Sequence, residues 1–344
     1  MTADGIDDGA VTRWLQERRP GISPPLTFDP ITGGRSNLTY TVTDAEGARF
    51  VLRRPPLHSV LESAHDVARE ARVMSALVDS DVPVPVVIGS ESGTEVNGAP
   101  FFVMEYVDGV VARDAATADE LLELPARAAA SASLVETLLA LHATDVDAVG
   151  LGDLGRRDGY IERQLRRWAG QLEKGSLRDL PLLTELGTRL AAHVPGPQAA
   201  AIVHGDYRLD NLIVSPDGTD VRAVLDWELC TLGDPLADVG MLYVYWAEAA
   251  DAVSPLGNMP TVLDGFWSRQ QVLDAYADGS SLDLSELDYY VAFAFWRIAI
   301  ILEGVYTRFA AGAYEHTDEG VSAMGDIVHQ LAEAADERAR SAGR

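Results

Sequence analysis

Residues 202–211 read IVHGDYRLDN, and the chain runs on through LIVSPDGTDVRAVLDWE to residue 228. A histidine, two aspartates, an arginine and an asparagine fall within ten residues, between two branched apolar residues and the apolar run LIV. SPDGTD is a turn signature between two apolar runs, so the spacing predicts a β-hairpin. Asn211 stands at the start of its first strand and Asp226 at the end of its second, which brings both side chains to the same end of the pair. Asp206 lies in the loop just before. An amide and two carboxylates at one sheet edge suit a hard divalent cation that keeps waters and phosphate oxygens as its other ligands, and Mg2+ fits best. Taken singly, each of these residues could equally cap local backbone. His204, beside Ile202 and Val203, reads as a buried structural histidine bonded to backbone or to Asp226. No second His or Cys stands at metal-ligand spacing, which argues against zinc.

The elements that must position this stretch divide the chain in two. Up to about residue 106, LTFDPI, LTYTVTD, ARFVLRR, VPVVIGS and PFFVMEYVDG have the Thr, Val, Phe and Tyr content of short strands. Between the third and fourth, Val60, Ala64, Val67, Ala71, Met74 and Leu77 recur at helical spacing, ending before the break DVPVP. The expected order is strand, strand, strand, helix, strand, strand. Glu70 falls on the apolar face of this helix, where an unpaired carboxylate would be costly, so a partner is expected. Beyond residue 115 the pattern predicts helices near 116–143, 158–173, 178–193, 234–247, 262–277, 284–311 and 317–340, interrupted by strands only around the opening stretch.

The chain has 344 residues, 47% of them hydrophobic, enough to bury a substantial core. With 27 Lys and Arg against 53 Asp and Glu, its net charge of −26 would repel nucleic acid and anionic membrane surfaces. It would suit a cationic substrate, although such acidity is also a solubility trait. The single Cys230 excludes an internal disulfide, and with an acidic N-terminus lacking an apolar signal region the expected location is cytoplasmic. VAFAFWRIAIIL, broken by Arg297, is too short for a bilayer span of about 20 residues and reads as a buried helix.

HGDYRLDN has the internal spacing of the protein-kinase pattern H-R-D-x-x-x-x-N. Together with LDWE it resembles the catalytic loop and metal-binding segment of the aminoglycoside phosphotransferase and choline kinase-like superfamily. VLRRPP and the run through GDPLADVG are most similar to the kinase-like domains fused to acyl-CoA dehydrogenases. The resemblance covers nearly the whole chain: GGRSNLTY looks like the phosphate-covering loop, FVLR the third strand, FFVMEYVDG the hinge strand and GDPLADVGML the helix opening of this superfamily. It implies an α+β, bilobal protein-kinase-like fold, with a nucleotide-binding lobe over 1–106, a hinge over 107–114 and a helical catalytic and substrate-binding lobe over 115–344.

By the same resemblance the protein is an ATP- and Mg2+-dependent phosphotransferase acting on the hydroxyl of a small molecule, with GTP as the other candidate nucleotide. Asp206 would orient the acceptor hydroxyl and take its proton, Arg208 would steady the transferring phosphoryl group, and Asn211 and Asp226 would hold the metal. A surface arginine paired with Asp210 is the alternative for Arg208. Gly33, Gly34, Ser36 and Asn37 would face the phosphates. Arg53 stands where protein kinases carry lysine, so the familiar Lys–Glu pair becomes Arg53 with Glu70, which is not a neutral change. Met104 would pack against the adenine, with the backbone of Glu105 and Val107 reading its edge. A hydroxyacyl-type compound is the acceptor implied by the dehydrogenase-fused relatives, and an aminoglycoside is the alternative. A catalytically silent, nucleotide-binding pseudokinase is the rival from another class. Tyr160, Arg163, Arg167 and Trp168 lie on a helix expected to flank the acceptor cleft.

Overall fold

A computed structural model describes residues 4–31, 37–57, 67–254, 257–310 and 318–343. The antiparallel five-stranded sheet consists of β1 (Thr27–Pro30), β2 (Leu38–Thr43), β3 (Arg49–Arg54), β4 (Val87–Glu91) and β5 (Phe101–Glu105), in the order β1-β2-β3-β5-β4. Helix α2, described over Val67–Leu77, lies between β3 and β4 in the chain. Strand alternation divides the sheet's residues between two cores. Val51, Phe102 and Met104 join Val67, Ala71, Met74 and Leu77 of α2 in the main core. Tyr40, Val42, Phe50, Leu52, Phe101 and Val103 form a second, smaller core on the other face.

That second face is covered by α1 (Asp8–Arg18), a helix additional to the expected order. Asp7 caps it by accepting from the Ala10 N–H at 2.9 Å, and it buries Val11, Trp14 and Leu15, with Trp14 tilted on Phe101 at 4.7 Å between centroids. Three buried apolar positions in an eleven-residue helix that is otherwise mostly polar make only a weak periodic signal.

The helical part contains α3 (Ala115–Leu121), α4 (Leu124–Ala143), α5 (Tyr160–Gly175), α6 (Pro181–Ala192), α7 (Leu236–Tyr245), α8 (Arg269–Gly279), α9 (Leu287–Ala310) and α10 (Asp318–Ser341). The single helix expected over 116–143 is two. Pro125 has no N–H to continue α3 and instead starts α4. The helix expected over 262–277 begins only at Arg269, behind a capping box in which the Ser268 hydroxyl and the Gln271 side chain each bond the other's backbone N–H. Helix α9 is the central post, packed by α5, α6, α7 and α10. It fills the range expected over 284–311, its 24 residues preceded by a 3-10 turn at Leu284–Glu286. Both α4 and the segment containing α9 are long and apolar enough to cross a membrane, but 56% and 61% of their most apolar windows are buried inside the protein, as in core helices.

Four short strands interrupt the helices: β6 (Ala201–Val203), β7 (Leu212–Val214), β8 (Val221–Val224) and β9 (Thr231–Gly233). The expected hairpin is β7 with β8, and β6 pairs with β9. These two ribbons carry the stretch that opened the sequence analysis.

Candidate active site

Strand β6 is buried throughout and delivers the chain into a loop whose backbone is held by side chains from distant elements. Asp238 of α7 accepts from the His204 N–H at 2.7 Å and from the Gly205 N–H at 2.8 Å. Arg297 of α9 donates to the Gly205 carbonyl at 2.9 Å. Gly205 has φ +83°, and a Cβ there would come within 3.1 Å of Leu229, so the position requires glycine. His204 is fully buried and is the structural histidine expected. Its Nε2 donates to the Leu225 carbonyl at 2.9 Å, and its Nδ1 accepts from the Asp206 N–H at 3.3 Å, so its partner is backbone rather than Asp226. Burial alone would raise Asp238, but His142, His204 and the Gly205 N–H outweigh it and hold the carboxyl below its ordinary range.

After Asp206 the chain makes one 3-10 turn, Leu209–Asn211, and enters β7. The buried Asn211 spends its amide nitrogen on Asp206, donating to the carbonyl at 2.8 Å and to Oδ2 at 3.0 Å. Both of those atoms are acceptors, which leaves the amide oxygen of Asn211 pointing elsewhere. The Leu225 N–H donates to the Asn211 carbonyl at 2.8 Å, so Asp226 follows immediately at the same end of the hairpin. Asp226 has φ +65° and ψ +60°, and among the described residues it is the only non-glycine with positive φ. That left-handed conformation costs an L-residue about 1–2 kcal/mol, and such strain concentrates at functional positions. Arg208 is shared: its Nε lies 3.2 Å from Asp206 Oδ2 and its Nη1 2.9 Å from Asp210 Oδ2. The pairing with Asp210 is therefore present, and so is a contact with Asp206. Burial, against the pull of Arg208, pushes Asp210 up to about 6.

The sheet reaches this edge through Arg53. Its Nη1 meets Glu70 Oε1 at 2.7 Å and its Nη2 meets Asp226 Oδ1 at 3.1 Å, so one guanidinium ties β3 to α2 and to the hairpin end. Glu70 is 1% exposed. Burial raises it to about 7 although Arg53 pulls the other way, and the like charge of Asp226 and Glu228 adds to the rise. Met104 is buried in the main core. The Glu105 N–H donates to the Val86 carbonyl at 2.9 Å, so any reading of an adenine edge by Glu105 falls to its carbonyl. Val107, just past β5, is half-buried. Asn37 is buried with its side-chain oxygen unpartnered among the described residues, whereas Gly33, Gly34 and Ser36 lie outside them.

Direct contacts join Asp206, Arg208 and Asn211 in one group and Arg53, Glu70 and Asp226 in another, and the Leu225 N–H bond to the Asn211 carbonyl sets the two side by side at the hairpin end. The donor chemistry at the hairpin end fits magnesium: the Asp226 carboxylate, with one oxygen on Arg53, and the Asn211 amide oxygen are hard donors. Among the described residues no cluster of three His, Cys, Asp or Glu forms a closed metal site, so phosphates and water would complete the coordination. Three further residues belong to this arrangement. Asp238 sits in GDPLADVG, where only a helix opening was read, and Arg297 was visible as a charge inside an apolar run. Tyr245 ends α7 with Arg208 over its ring at 5.0 Å, and nothing in its local sequence marks it. Of the α5 residues, Tyr160 is buried against Gly233 and pushed up to about 12 by burial. Arg163 is turned to the backbone carbonyls of Arg156 and Asp158.

The phosphotransferase enzyme family (APH) matches residues 27–279, and the chain belongs to this family. It is 34% identical over 314 residues to mouse acyl-CoA dehydrogenase family member 10, covering 90% of this chain but only 29% of that protein. The chain therefore spans under a third of that relative. A solved structure from Ralstonia eutropha, provisionally described as an aminoglycoside phosphotransferase, has 30% identity and a TM-score of 0.81, covering 98% of this chain and 99% of its own. An aminoglycoside phosphotransferase in ternary complex with ADP and hygromycin B shares the fold at 16% identity and a TM-score of 0.61, covering 96% and 98%.

Proposed function

We propose that the protein transfers the γ-phosphoryl group of MgATP to a hydroxyl of a small molecule, and that the acceptor is a hydroxyacyl-type compound. The carrying observation is the bond of the Asn211 amide to Asp206, which locks the candidate base and a candidate metal ligand into one rigid unit with Asp226 beside it. Asp206 aligns the acceptor hydroxyl and takes its proton as the oxygen attacks phosphorus. Its role is positional first, since phosphoryl transfer passes through a loose transition state. Arg208, held between Asp206 and Asp210, offers a guanidinium for the transferring phosphoryl oxygens. Asn211 and Asp226 would hold Mg2+, which supplies charge neutralisation at the β- and γ-phosphates when bound. Arg53 is placed to exchange its contact with Asp226 for a phosphate oxygen while keeping Glu70. Asn37, Met104, Glu105 and Val107, with Gly33, Gly34 and Ser36, complete the nucleotide assignment. GTP as the nucleotide remains the alternative to ATP.

The hydroxyacyl acceptor is supported by the likeness to an acyl-CoA dehydrogenase family member. A second reading, an aminoglycoside acceptor, is favoured by the Ralstonia likeness. An ADP-release screen of hydroxyacyl compounds and aminoglycosides separates them. Saturable turnover of a hydroxyacyl compound supports the proposal, and salt-sensitive turnover of several aminoglycosides alone overturns its acceptor. ATP binding with no transfer to any hydroxyl would leave a pseudokinase.

A further inference from the structure

On the helical side of the Asp206 loop, α5 and α9 bring two guanidinium groups to one indole ring. Arg297 lies with its guanidinium carbon 5.3 Å from the Trp168 centroid, and Arg167 lies 5.4 Å from the same centroid. Arg297 is 3% exposed, its Nη2 is on the Gly205 carbonyl, and its Nε is buried without a hydrogen-bond partner among the described residues. Arg167 is exposed. Among the described residues neither forms an ion pair with an aspartate or glutamate. Arg208, near the same loop, has two such partners. In a chain with 53 acidic and 27 basic residues, two arginines at one ring without an acid stand out. Two like charges at one ring repel each other unless something anionic joins them. After burial, Arg297 is the next cause that holds Arg167 below the ordinary arginine value.

We propose that Arg167, with Arg297 behind it, is a specificity-determining residue that binds an anionic group of the acceptor. That group is the carboxylate of a free hydroxy acid or a phosphate of its coenzyme A thioester. The inference deepens the proposed function and rests on Asp206 facing the acceptor hydroxyl. Arg297 joins the two sites: it touches the carbonyl preceding Asp206 at one end and faces Trp168 at the other. An anion at Arg167 would therefore leave the acceptor's hydroxyl end toward Asp206. A polycationic acceptor would meet like charge at the same place.

The test compares a short hydroxy acid, its neutral methyl ester and its coenzyme A thioester in wild type, Arg167→Gln and Arg167→Lys. Wild type should prefer at least one anionic form over the ester by about 10-fold or more in kcat/KM, as expected for a charge-assisted hydrogen bond. Arg167→Gln should bring that ratio close to one, mainly through KM, and Arg167→Lys should restore part of it. Preference for the free acid identifies the carboxylate, and preference for the thioester identifies the carrier phosphates. An unchanged ratio in Arg167→Gln, or a wild type that does not discriminate, overturns the inference. Calorimetric binding of the same three probes keeps it separate from the phosphotransfer reading. Without turnover, anion binding weakened by Arg167→Gln still supports the subsite, whereas equal binding by wild type and variant overturns it.

Discussion

Replacing Arg53 with methionine removes the guanidinium that meets Glu70 at 2.7 Å and Asp226 at 3.1 Å, while keeping much of the side chain's apolar stem. Deleting one partner of a buried ion pair costs about 3–5 kcal/mol, because the other charge stays buried alone. Glu70 limits that loss by taking a proton, and burial already pushes it to about 7. The loss should therefore be about 3 kcal/mol at pH 7.5 and shrink toward ~1 kcal/mol at pH 5.5, where Glu70 is neutral with or without Arg53. Adding Glu70→Gln should recover most of the stability at pH 7.5, since no buried charge then lacks its partner. Urea unfolding followed by tryptophan fluorescence and by far-UV circular dichroism gives the values, with coincident transitions as the check on two-state behaviour. A loss below about 1 kcal/mol at pH 7.5, or one that does not change with pH, would refute the reasoning.

Three other perturbations follow from the same geometry. Asp226→Gly relieves a left-handed residue and should leave urea stability equal or higher, while calorimetry shows weakened MgATP binding and turnover is lost. Glu70→Gln should flatten the pH dependence of stability. The folded-state value of Glu70 is raised, so its contribution is complete below the unfolded carboxylate value and is lost as pH rises through about 7, a change on the order of 3 kcal/mol that thermal melts across pH 4.5–8 would read. Asp238→Ala leaves the His204 and Gly205 N–H groups without their acceptor and should cost about 2–5 kcal/mol, with kcat falling more than the KM for ATP changes.

The hairpin is legible because it is local: a turn signature, two apolar runs and fixed offsets put Asn211 and Asp226 at one end of the strand pair. The Arg53–Glu70 pair is legible for a different reason: a carboxylate on the apolar face of α2 demands a partner, and the resemblance to the kinase Lys–Glu pair is what points to Arg53. What escaped was set by tertiary packing. Helix α1 has few apolar positions of its own and is ordered by the outer face of the sheet. Asp238 and Arg297 act on backbone atoms of residues 33 and 92 positions away, and no local spacing encodes such partners. The break between α3 and α4 and the start of α8 were written in Pro125 and in Ser268 with Gln271, but the run of apolar residues outweighed those cap signals.

The central claim is that Asp206 is the group that receives the acceptor's proton, held for that task by Asn211 and Arg208. Asp206→Asn preserves the side chain's shape and removes its charge. Single-turnover transfer from MgATP to the best acceptor should fall by about 10²–10⁴-fold, while calorimetry shows MgATP bound with near wild-type affinity. Transfer at the wild-type rate by Asp206→Asn would mean that HGDYRLDN is a structural loop, and would contradict the account.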